Sequence, residues 1–187
     1  GKDDLQMHQA LLAEIIREAA EPHSNRGVAI ETKISDGHKG GIDEPYIIRR
    51  PEIIHGLRNM IQNAVDFATS KVWVESSWTK EAINITISDD GYGYPPNLLG
   101  RLGDPFLGAK IGKENRQGYE GMGLGLFIAK TLLERTGAKI SFSNGHKNQK
   151  PSQSQSAPSG AIVDIYWPRK KVETTSNLFG ENQNFSI

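Results

Sequence analysis

A cluster of glycines directly before an amphipathic helix pattern is the first feature of this chain that could do chemistry. Four glycines fall within eight residues, in the stretch GYEGMGLG at 118–125. Glycine is a poor helix former, and free N–H groups at a helix N-terminus favour negative charge, so the cluster predicts a hinge joined to a phosphate cradle. The P-loop and dinucleotide-binding patterns are both absent. A helix start that is glycine-rich without a ligand is the alternative on this stretch alone.

A polar stripe runs along the helix that the sequence predicts over 51–68. His55, Asn59, Asn63 and Asp66 recur at intervals that bring them to one side of a helix, opposite the apolar positions. Asparagine is a mediocre helix former, and its side-chain oxygen can bind Mg²⁺, which usually shares its site with phosphates and waters. The stripe therefore indicates a metal and phosphate site, with a solvated helix face as the alternative.

Asp89 begins the third group, DDGYG at 89–93, which follows a predicted strand. An aspartate at a strand end can accept a hydrogen bond from an amino group of a ligand, and the two glycines let that ligand lie close to the backbone. Asp-Gly is also common in ordinary turns, which is the simpler explanation when this group is taken alone.

The secondary-structure pattern places the three groups on different elements of one domain. Apolar periodicity predicts helices over about 4–20, 51–68 and 124–136, and strands over 27–31, 71–78, 82–88, 139–143 and 161–167. Residues 101–120 form a polar, glycine-bearing connection long enough to be a functional lid. The sequence further predicts a mobile low-complexity loop over 144–160 and a disordered tail over 169–187, which leaves 1–168 as the domain.

The composition excludes several classes of function. Formal net charge is zero and the charges are mixed, so nucleic acid is not expected as a main partner. Because there is no cysteine, these residues contain no disulfide, thiolate metal site or thiol nucleophile. No apolar run approaches the roughly 20 residues of a spanning helix. We therefore expect a cytoplasmic domain whose only link to a membrane is through segments upstream of it.

Taken in order, the three groups resemble the ATP-binding catalytic domain of sensor histidine kinases, in the GHKL superfamily with the Bergerat fold. The stretches HGLRNMIQNAVDFA (55–68), SDDGYGYP (88–95), GDPFLG (103–108) and GMGLGLFIAK (121–130) are similar to the N-box, the first glycine box, the F-box and the second glycine box of that family. They look most like the RegB/PrrB/ActS group of redox-responsive bacterial kinases. The resemblance implies an α/β two-layer sandwich, with a mixed, mostly antiparallel sheet of about five strands packed on about three helices.

The resemblance also implies roles for individual residues in binding ATP and Mg²⁺. Asn63 would ligate the Mg²⁺ that bridges the phosphates, with Asn59 supporting it, and Asp89 would accept a hydrogen bond from the adenine amino group. The glycines of the second box would cradle phosphates, while Leu124 and Leu126 anchor the lid to the core. The full predicted nucleotide-binding set is Asn59, Asn63, Asp66, Phe67, Asp89, Gly91, Tyr92, Gly93, Lys110, Gly121, Met122, Gly123, Leu124, Gly125 and Leu126.

Two departures from the family pattern bear on function. Asp66 stands where many members carry lysine or arginine, so a basic phosphate contact is missing there. The chain also lacks the H-box, a histidine followed by an acid, because none of its five histidines has an acidic residue after it. We therefore expect no catalytic residue here, and a phosphoacceptor histidine on a separate helical hairpin upstream. By resemblance, the whole protein would be a homodimeric sensor kinase of a bacterial inner membrane, and a response regulator would receive the phosphate.

Two other functions stay open at this stage. ATP hydrolases of the same fold place a glutamate four residues before the ligating asparagine as general base, whereas this chain has Asn59, whose amide cannot take a proton. A nucleotide-binding docking module without kinase activity is the second alternative, which the complete set of Asn63, Asp89 and glycines disfavours. Phosphoryl transfer to a histidine, unlike ATP hydrolysis, needs no glutamate base, since neutral imidazole is already nucleophilic. The kinase is therefore the preferred hypothesis.

Overall fold

The structure, a computed structural model, describes residues 8–36, 41–104, 122–145 and 158–174. These residues contain three α-helices and seven β-strands. In chain order they are β1 (Gln9–Leu11), α1 (Leu12–Ala20), β2 (Ala29–Asp36), β3 (Tyr46–Ile48), α2 (Pro51–Phe67), β4 (Lys71–Trp78), β5 (Ala82–Asp89), α3 (Met122–Arg135), β6 (Lys139–Asn144) and β7 (Ala161–Pro168). Within these ranges no helix is both long and apolar enough to cross a membrane.

The main sheet has five strands in the order β2-β4-β5-β7-β6. β2 runs parallel to β4, and the other three pairs are antiparallel. β1 and β3 form a separate two-stranded antiparallel ribbon. The predicted fold, a mixed and mostly antiparallel five-stranded sheet packed with three helices, is confirmed for the described residues.

One face of the sheet carries the core, because side chains alternate between the two faces along a strand. On β5, Ile83, Ile85 and Ile87 are fully buried, whereas Asn84 and Thr86 on the opposite face are only half-buried. The buried side chains of the three helices belong to the same hydrophobic cluster as these isoleucines. Burying a side chain of this size contributes roughly 1.5–3 kcal/mol, so this layer holds the helices on the sheet.

Helices α2 and α3 approach closely because Gly56 of α2 has no side chain. A Cβ atom at Gly56 would lie 2.5 Å from Cγ of Leu133 on α3, nearer than a real Cβ approaches another atom. Close packing at this point brings the first turn of α3 beside the polar stripe of α2. Gly56 therefore helps to position both walls of the site described below.

The first helix is shorter than predicted. The sequence predicts a helix over about 4–20, but α1 begins at Leu12, and Gln9–Leu11 is a strand paired with Tyr46–Ile48. The backbone N–H of Leu12 donates to the carbonyl of Pro45, 3.2 Å away, so pairing with a distant segment replaces the helix there. The second strand is longer than predicted, since it pairs with β4 from Ala29 to Asp36. Residues 1–7 lie outside the described residues.

The predicted disordered tail is wrong for residues 169–174. Arg169 donates from Nη1 to the carbonyl of Thr79, at 2.9 Å, and pairs with Glu173, at 2.6 Å. Val172 is buried, and the hydroxyl of Thr174 donates to the Gln9 side chain, at 2.6 Å. Contacts with distant residues order this segment, which has no periodic pattern that a sequence reading could use. Residues 175–187, and 146–157 of the predicted mobile loop, lie outside the described residues.

Candidate functional site

A cleft of about 390 Å³ separates the polar stripe of α2 from the first turns of α3. The two helices bring together two of the three residue groups that the sequence singles out. Residues of both helices form its walls: Asn59, Gln62, Asn63, Asp66, Leu124, Gly125 and Ile128. His55, the first residue of the predicted stripe, is exposed and is not among these residues.

The α2 wall presents side-chain amide oxygens, which could act as metal ligands, from the polar side of an amphipathic helix. Residues advance by about 100° along a helix, so burial of Leu57, Ile61 and Val65 turns Asn59 and Asn63 away from the core. Both asparagines are half-buried, which holds the amides at the surface of the cleft. The described residues contain no group of three or more His, Cys, Asp or Glu side chains arranged to hold a metal. A donor set of neutral amide oxygens fits Mg²⁺ that takes its other ligands from phosphates and waters.

The α3 wall begins at Met122, so Gly123 and Gly125 lie in the first turn of the helix. A Cβ atom at Gly125 would meet nothing within 4 Å, so packing within the described residues does not require glycine at this position. A glycine here leaves the backbone open to the cleft, at the end of a helix that favours anions. Gly121 and Lys110, also predicted to bind nucleotide, lie in 105–121, outside the described residues.

Only one of the two leucines predicted to anchor the lid lies in the core. Leu126 is completely buried, but Leu124 is 65% exposed and lines the cleft. Residues two apart on a helix point about 200° apart, so the two side chains cannot face the same core. Leu124 therefore does not join the core as predicted, and its predicted contact with the lid stays a prediction, because most of the predicted lid lies outside the described residues.

The carboxyl group of Asp89 is buried at the end of β5, where it is 1% exposed. Its Oδ1 accepts hydrogen bonds from the backbone N–H groups of Gly91, at 2.8 Å, and Ala161, at 3.2 Å. Burial raises the pKa of Asp89, and these two hydrogen bonds oppose the rise only in part. Among the described residues no hydrogen bond reaches Oδ2, which leaves an acceptor for a donor group of a ligand.

The neighbouring Asp90 has a structural role that residue type and spacing alone, without the family resemblance, do not distinguish from that of Asp89. Its carboxylate accepts backbone N–H groups of Thr69, Ser70 and Lys71 at 2.9–3.2 Å, and the hydroxyl of Ser70 at 2.6 Å. Burial alone would raise the pKa of Asp90, but the hydrogen bonds together lower it. Asp90 therefore joins the loop after β5 to the connection between α2 and β4.

The two glycines of the DDGYG group have packing reasons of their own. A Cβ atom at Gly91 would collide with the backbone carbonyl of Phe67, at the end of α2. Gly93 has a φ of +78°, and a Cβ there would lie 2.7 Å from Oδ1 of Asn144. These glycines let the loop lie close to α2 and β6. Their predicted approach to a nucleotide stays a prediction.

Asn144, at the end of β6, holds the same loop through the backbone of Tyr94. Its Oδ1 accepts the N–H of Tyr94 at 2.6 Å, and its Nδ2 donates to the Tyr94 carbonyl at 2.8 Å. The buried Tyr94 ring packs edge-on against Phe142, with centroids 5.8 Å apart. Sequence reasoning missed Asn144 and Tyr94, because no local pattern links residues 50 positions apart.

Two aromatic residues of the predicted set lie at the margins of this arrangement. Phe67 is half-buried and packs against the hydrophobic core. The side chain of Tyr92 is 85% exposed and is not among the residues that line the cleft. Their predicted contacts with a nucleotide stay predictions.

Asp66 has a partner that sequence reasoning also missed. Nη2 of Arg26, in the connection between α1 and β2, lies 2.7 Å from Oδ1 of Asp66. The pair joins that connection to the cleft wall, and it neutralises the one carboxylate among the described residues that line the cleft.

Comparisons with known proteins agree with this geometry. Residues 49–171 match the family described as histidine kinase-, DNA gyrase B-, and HSP90-like ATPase. The chain is similar to the sensor histidine kinase RegB of Cereibacter sphaeroides, with 53% identity over 186 residues, which are 97% of this chain and 40% of RegB. It is also similar to the histidine protein kinase SaeS of Staphylococcus aureus, with 35% identity over 107 residues, 55% of this chain and 30% of SaeS.

Solved structures show the same fold at lower identity. The mycobacterial sensor histidine kinase MprB matches with a TM-score of 0.62 and 19% identity, over 90% of this chain and 99% of that one. The catalytic domain of the histidine kinase ThkA matches with a TM-score of 0.60 and 18% identity, over 86% and 95%. The present chain spans about two fifths of the length of RegB.

Proposed function

Since this chain belongs to the family of histidine kinase-, DNA gyrase B-, and HSP90-like ATPases, we propose that it is the ATP-binding catalytic domain of a sensor histidine kinase. In this proposal it donates the γ-phosphoryl group of ATP to a histidine on a separate helical hairpin of the same protein. The observation that carries the proposal is the cleft, in which the amides of α2 face the glycine-bearing first turn of α3.

Each wall of the site has a distinct task in binding. Asn63, with Asn59 one turn earlier, would hold Mg²⁺ through amide oxygens, and the N-terminal turn of α3 would receive phosphate oxygens. Asp89 would accept a hydrogen bond from the adenine amino group, because its buried carboxyl group is fixed by two backbone N–H donors. ATP supplies the phosphoryl group, and the protein supplies position and electrostatic stabilisation.

The kinase is favoured over a hydrolase of the same family by the absence of a base in the described part of the cleft. Hydrolases of this fold use a glutamate at the position of Asn59, and an amide cannot accept a proton from water. Asp66 is the one carboxylate among the described lining residues, and it is engaged with Arg26. Transfer to a neutral imidazole needs no such base from this domain.

The proposed partners of this domain lie in segments that the chain does not include, since it spans only two fifths of the length of RegB. RegB continues for more than half its length beyond the matched region. We place the phosphoacceptor hairpin, the homodimer contacts and any link to an inner membrane in such further segments. The phosphate would then pass to a response regulator.

The test uses labelled ATP, with and without the hairpin of the same full-length protein. The chain alone should bind Mg·ATP and incorporate almost no label. With the hairpin added in trans, acid-labile and base-stable phosphate should appear on the hairpin. The yield will be low, because no tether raises the effective concentration of the two parts.

Two matched variants assign the activity to the cleft. Asn63→Ala should abolish labelling of the hairpin, whereas Asn84→Ala, which removes another half-buried amide from the opposite face of the sheet, should retain it. Steady ATP hydrolysis or labelling of the chain itself without the hairpin would overturn the kinase proposal and return the hydrolase to first place.

A further inference from the structure

The described residues that line the cleft include no basic side chain to balance the charge of a polyphosphate ligand. This described lining consists of amides, apolar side chains, a glycine and one carboxylate, Asp66. A carboxylate beside a phosphate chain repels it. A cation beside Asp66 would remove this repulsion, in addition to the charge that Mg²⁺ brings to the phosphates.

We propose that Arg26, which is paired with Asp66 of the cleft wall and is not itself among the described lining residues, binds phosphate in this cleft, and that Asp66 positions it. The ion pair joins Nη2 of Arg26 to Oδ1 of Asp66 at 2.7 Å. A guanidinium group carries five N–H donors, so one contact with a carboxylate leaves donors for a second acceptor. The assignment rests on the proposed ATP-binding function and deepens it.

The backbone around Arg26 is well determined by the fold. The N–H of Arg26 donates to the carbonyl of His23 at 3.3 Å, within the turn that follows α1. Gly27 has a φ of +80°, a conformation that favours glycine, and the N–H of Ala29 donates to the carbonyl of Ser70 at 2.9 Å. The base of the Arg26 side chain is thus held on both sides before a ligand binds.

His23 adds a buried contact beneath this turn. Its imidazole is almost fully buried, and burial lowers its pKa, with the positive charge of Arg26 lowering it further. His23 is therefore neutral at neutral pH and does not repel the guanidinium. The ring meets the backbone of Arg58 in α2, and the hydrogen-bonding contact of Asp66 is with Arg26.

The pair has a physical advantage over a single lysine or arginine projecting from α2. A long, exposed basic side chain loses conformational entropy when a ligand fixes it. Asp66 holds the Arg26 guanidinium beforehand and has its own charge neutralised in return. The phosphate then meets a positioned donor group in place of a bare carboxylate.

The test measures binding of Mg·ADP and of adenosine by competition against a fluorescent nucleotide. Arg26→Ala should weaken Mg·ADP about three- to tenfold, the range for a partly exposed charged hydrogen bond. Adenosine, which has no phosphate, should change by less than about twofold. The matched control is Arg49→Ala, which breaks the Arg49–Glu18 pair, also 2.7 Å long and partly exposed, and should leave both affinities unchanged.

A second pair of changes moves the positive charge from position 26 to position 66, and so tests whether a cation on this wall is what binds phosphate. In the Arg26→Ala background, Asp66→Lys returns a cation to the same wall and should recover most of the affinity for Mg·ADP. The wild-type affinity should also fall more steeply with salt than that of Arg26→Ala, because screening acts on the lost contact. Arg26→Gln, which keeps a hydrogen-bond donor for Asp66, provides a second, milder variant if Arg26→Ala unfolds.

The outcomes separate this inference from the proposed function. Mg·ADP affinity equal to wild type in Arg26→Ala and Arg26→Gln, with binding still lost in Asn63→Ala, overturns the role of Arg26 and leaves the proposed function standing. Equal losses for Mg·ADP and adenosine show that the pair only supports the fold, and overturn the inference too. A wild-type chain that binds neither ligand overturns both.

Discussion

Replacing Asp89 separates its contribution to stability from its contribution to binding. Oδ1 of Asp89 accepts the N–H groups of Gly91 and Ala161, and a Cβ at Gly160 would collide with this oxygen, so the carboxyl group fits closely against backbone. Asp89→Ala leaves both N–H groups buried without an acceptor. Asp89→Asn keeps an oxygen at the Oδ1 position, because the two donors orient the amide.

The two variants should therefore differ strongly in stability. An unsatisfied buried N–H costs about 1–3 kcal/mol, so Asp89→Ala should lower the free energy of unfolding by about 2–6 kcal/mol. Asp89→Asn should be at least as stable as wild type at neutral pH, since burial raises the pKa of the carboxyl group and a neutral amide avoids burying its charge. Urea unfolding measures both, with Asp164→Asn on the exposed face of β7 as the control.

The pH dependence of this difference has a definite sign. Because the pKa of Asp89 in the folded protein is raised above its ordinary 3.8, its favourable contribution to stability is fully present below pH 3.8 and is lost as pH rises through the folded value. Asp89→Asn has no such loss. The stability of Asp89→Asn relative to wild type should therefore increase as pH rises above about 4, and the difference should be smallest in acid.

Asp89→Asn should weaken nucleotide binding, although it should not lower stability. Asp89→Asn places an amide N–H₂ group where Oδ2 would accept a hydrogen bond from the adenine amino group, so two donors would face each other. A loss of about 1.5–3 kcal/mol, or roughly 10- to 150-fold in the affinity for Mg·ADP, is expected. Calorimetry measures it. Unchanged affinity in Asp89→Asn, or a loss of stability as large as that in Asp89→Ala, would refute this account of the site.

Two further predictions concern contacts that hold the site in place. Gly56→Ala should destabilise the fold by about 1–3 kcal/mol in urea, despite the better helix propensity of alanine, because its Cβ would lie 2.5 Å from Cγ of Leu133. Gly100→Ala, where a Cβ would meet nothing within 4 Å, is the control, and an equally small effect in both would contradict the packing argument. Arg169→Ala removes hydrogen bonds to the carbonyls of Thr79 and Asp43 and the ion pair with Glu173. It should therefore lower the free energy of unfolding by roughly 2–4 kcal/mol and speed amide exchange in residues 169–174. The control, Lys170→Ala, changes an exposed side chain and should do neither.

Local patterns in the sequence determined most of the framework. The 3.6-residue periodicity over 51–68 predicted α2 to within a residue, and alternation predicted β4 and β5 equally well, because each pattern reports which side of an element faces the core. The order of the asparagine, aspartate and glycine groups was enough to indicate the family, since each group lies within a few consecutive residues.

Contacts between distant residues were decided only by the tertiary structure. Asp89 and Asp90 are identical neighbours, yet one accepts the N–H of Ala161 and the other accepts the backbone N–H groups of 69–71, so only packing shows that Asp90 joins two connections while Asp89 is buried with Oδ2 unbonded among the described residues. The Arg26–Asp66 pair joins residues 40 positions apart, and no periodicity records such a pairing. An ion pair or a side-chain hydrogen bond depends on where the backbone carries its two partners, and that placement comes from burying the whole core at once.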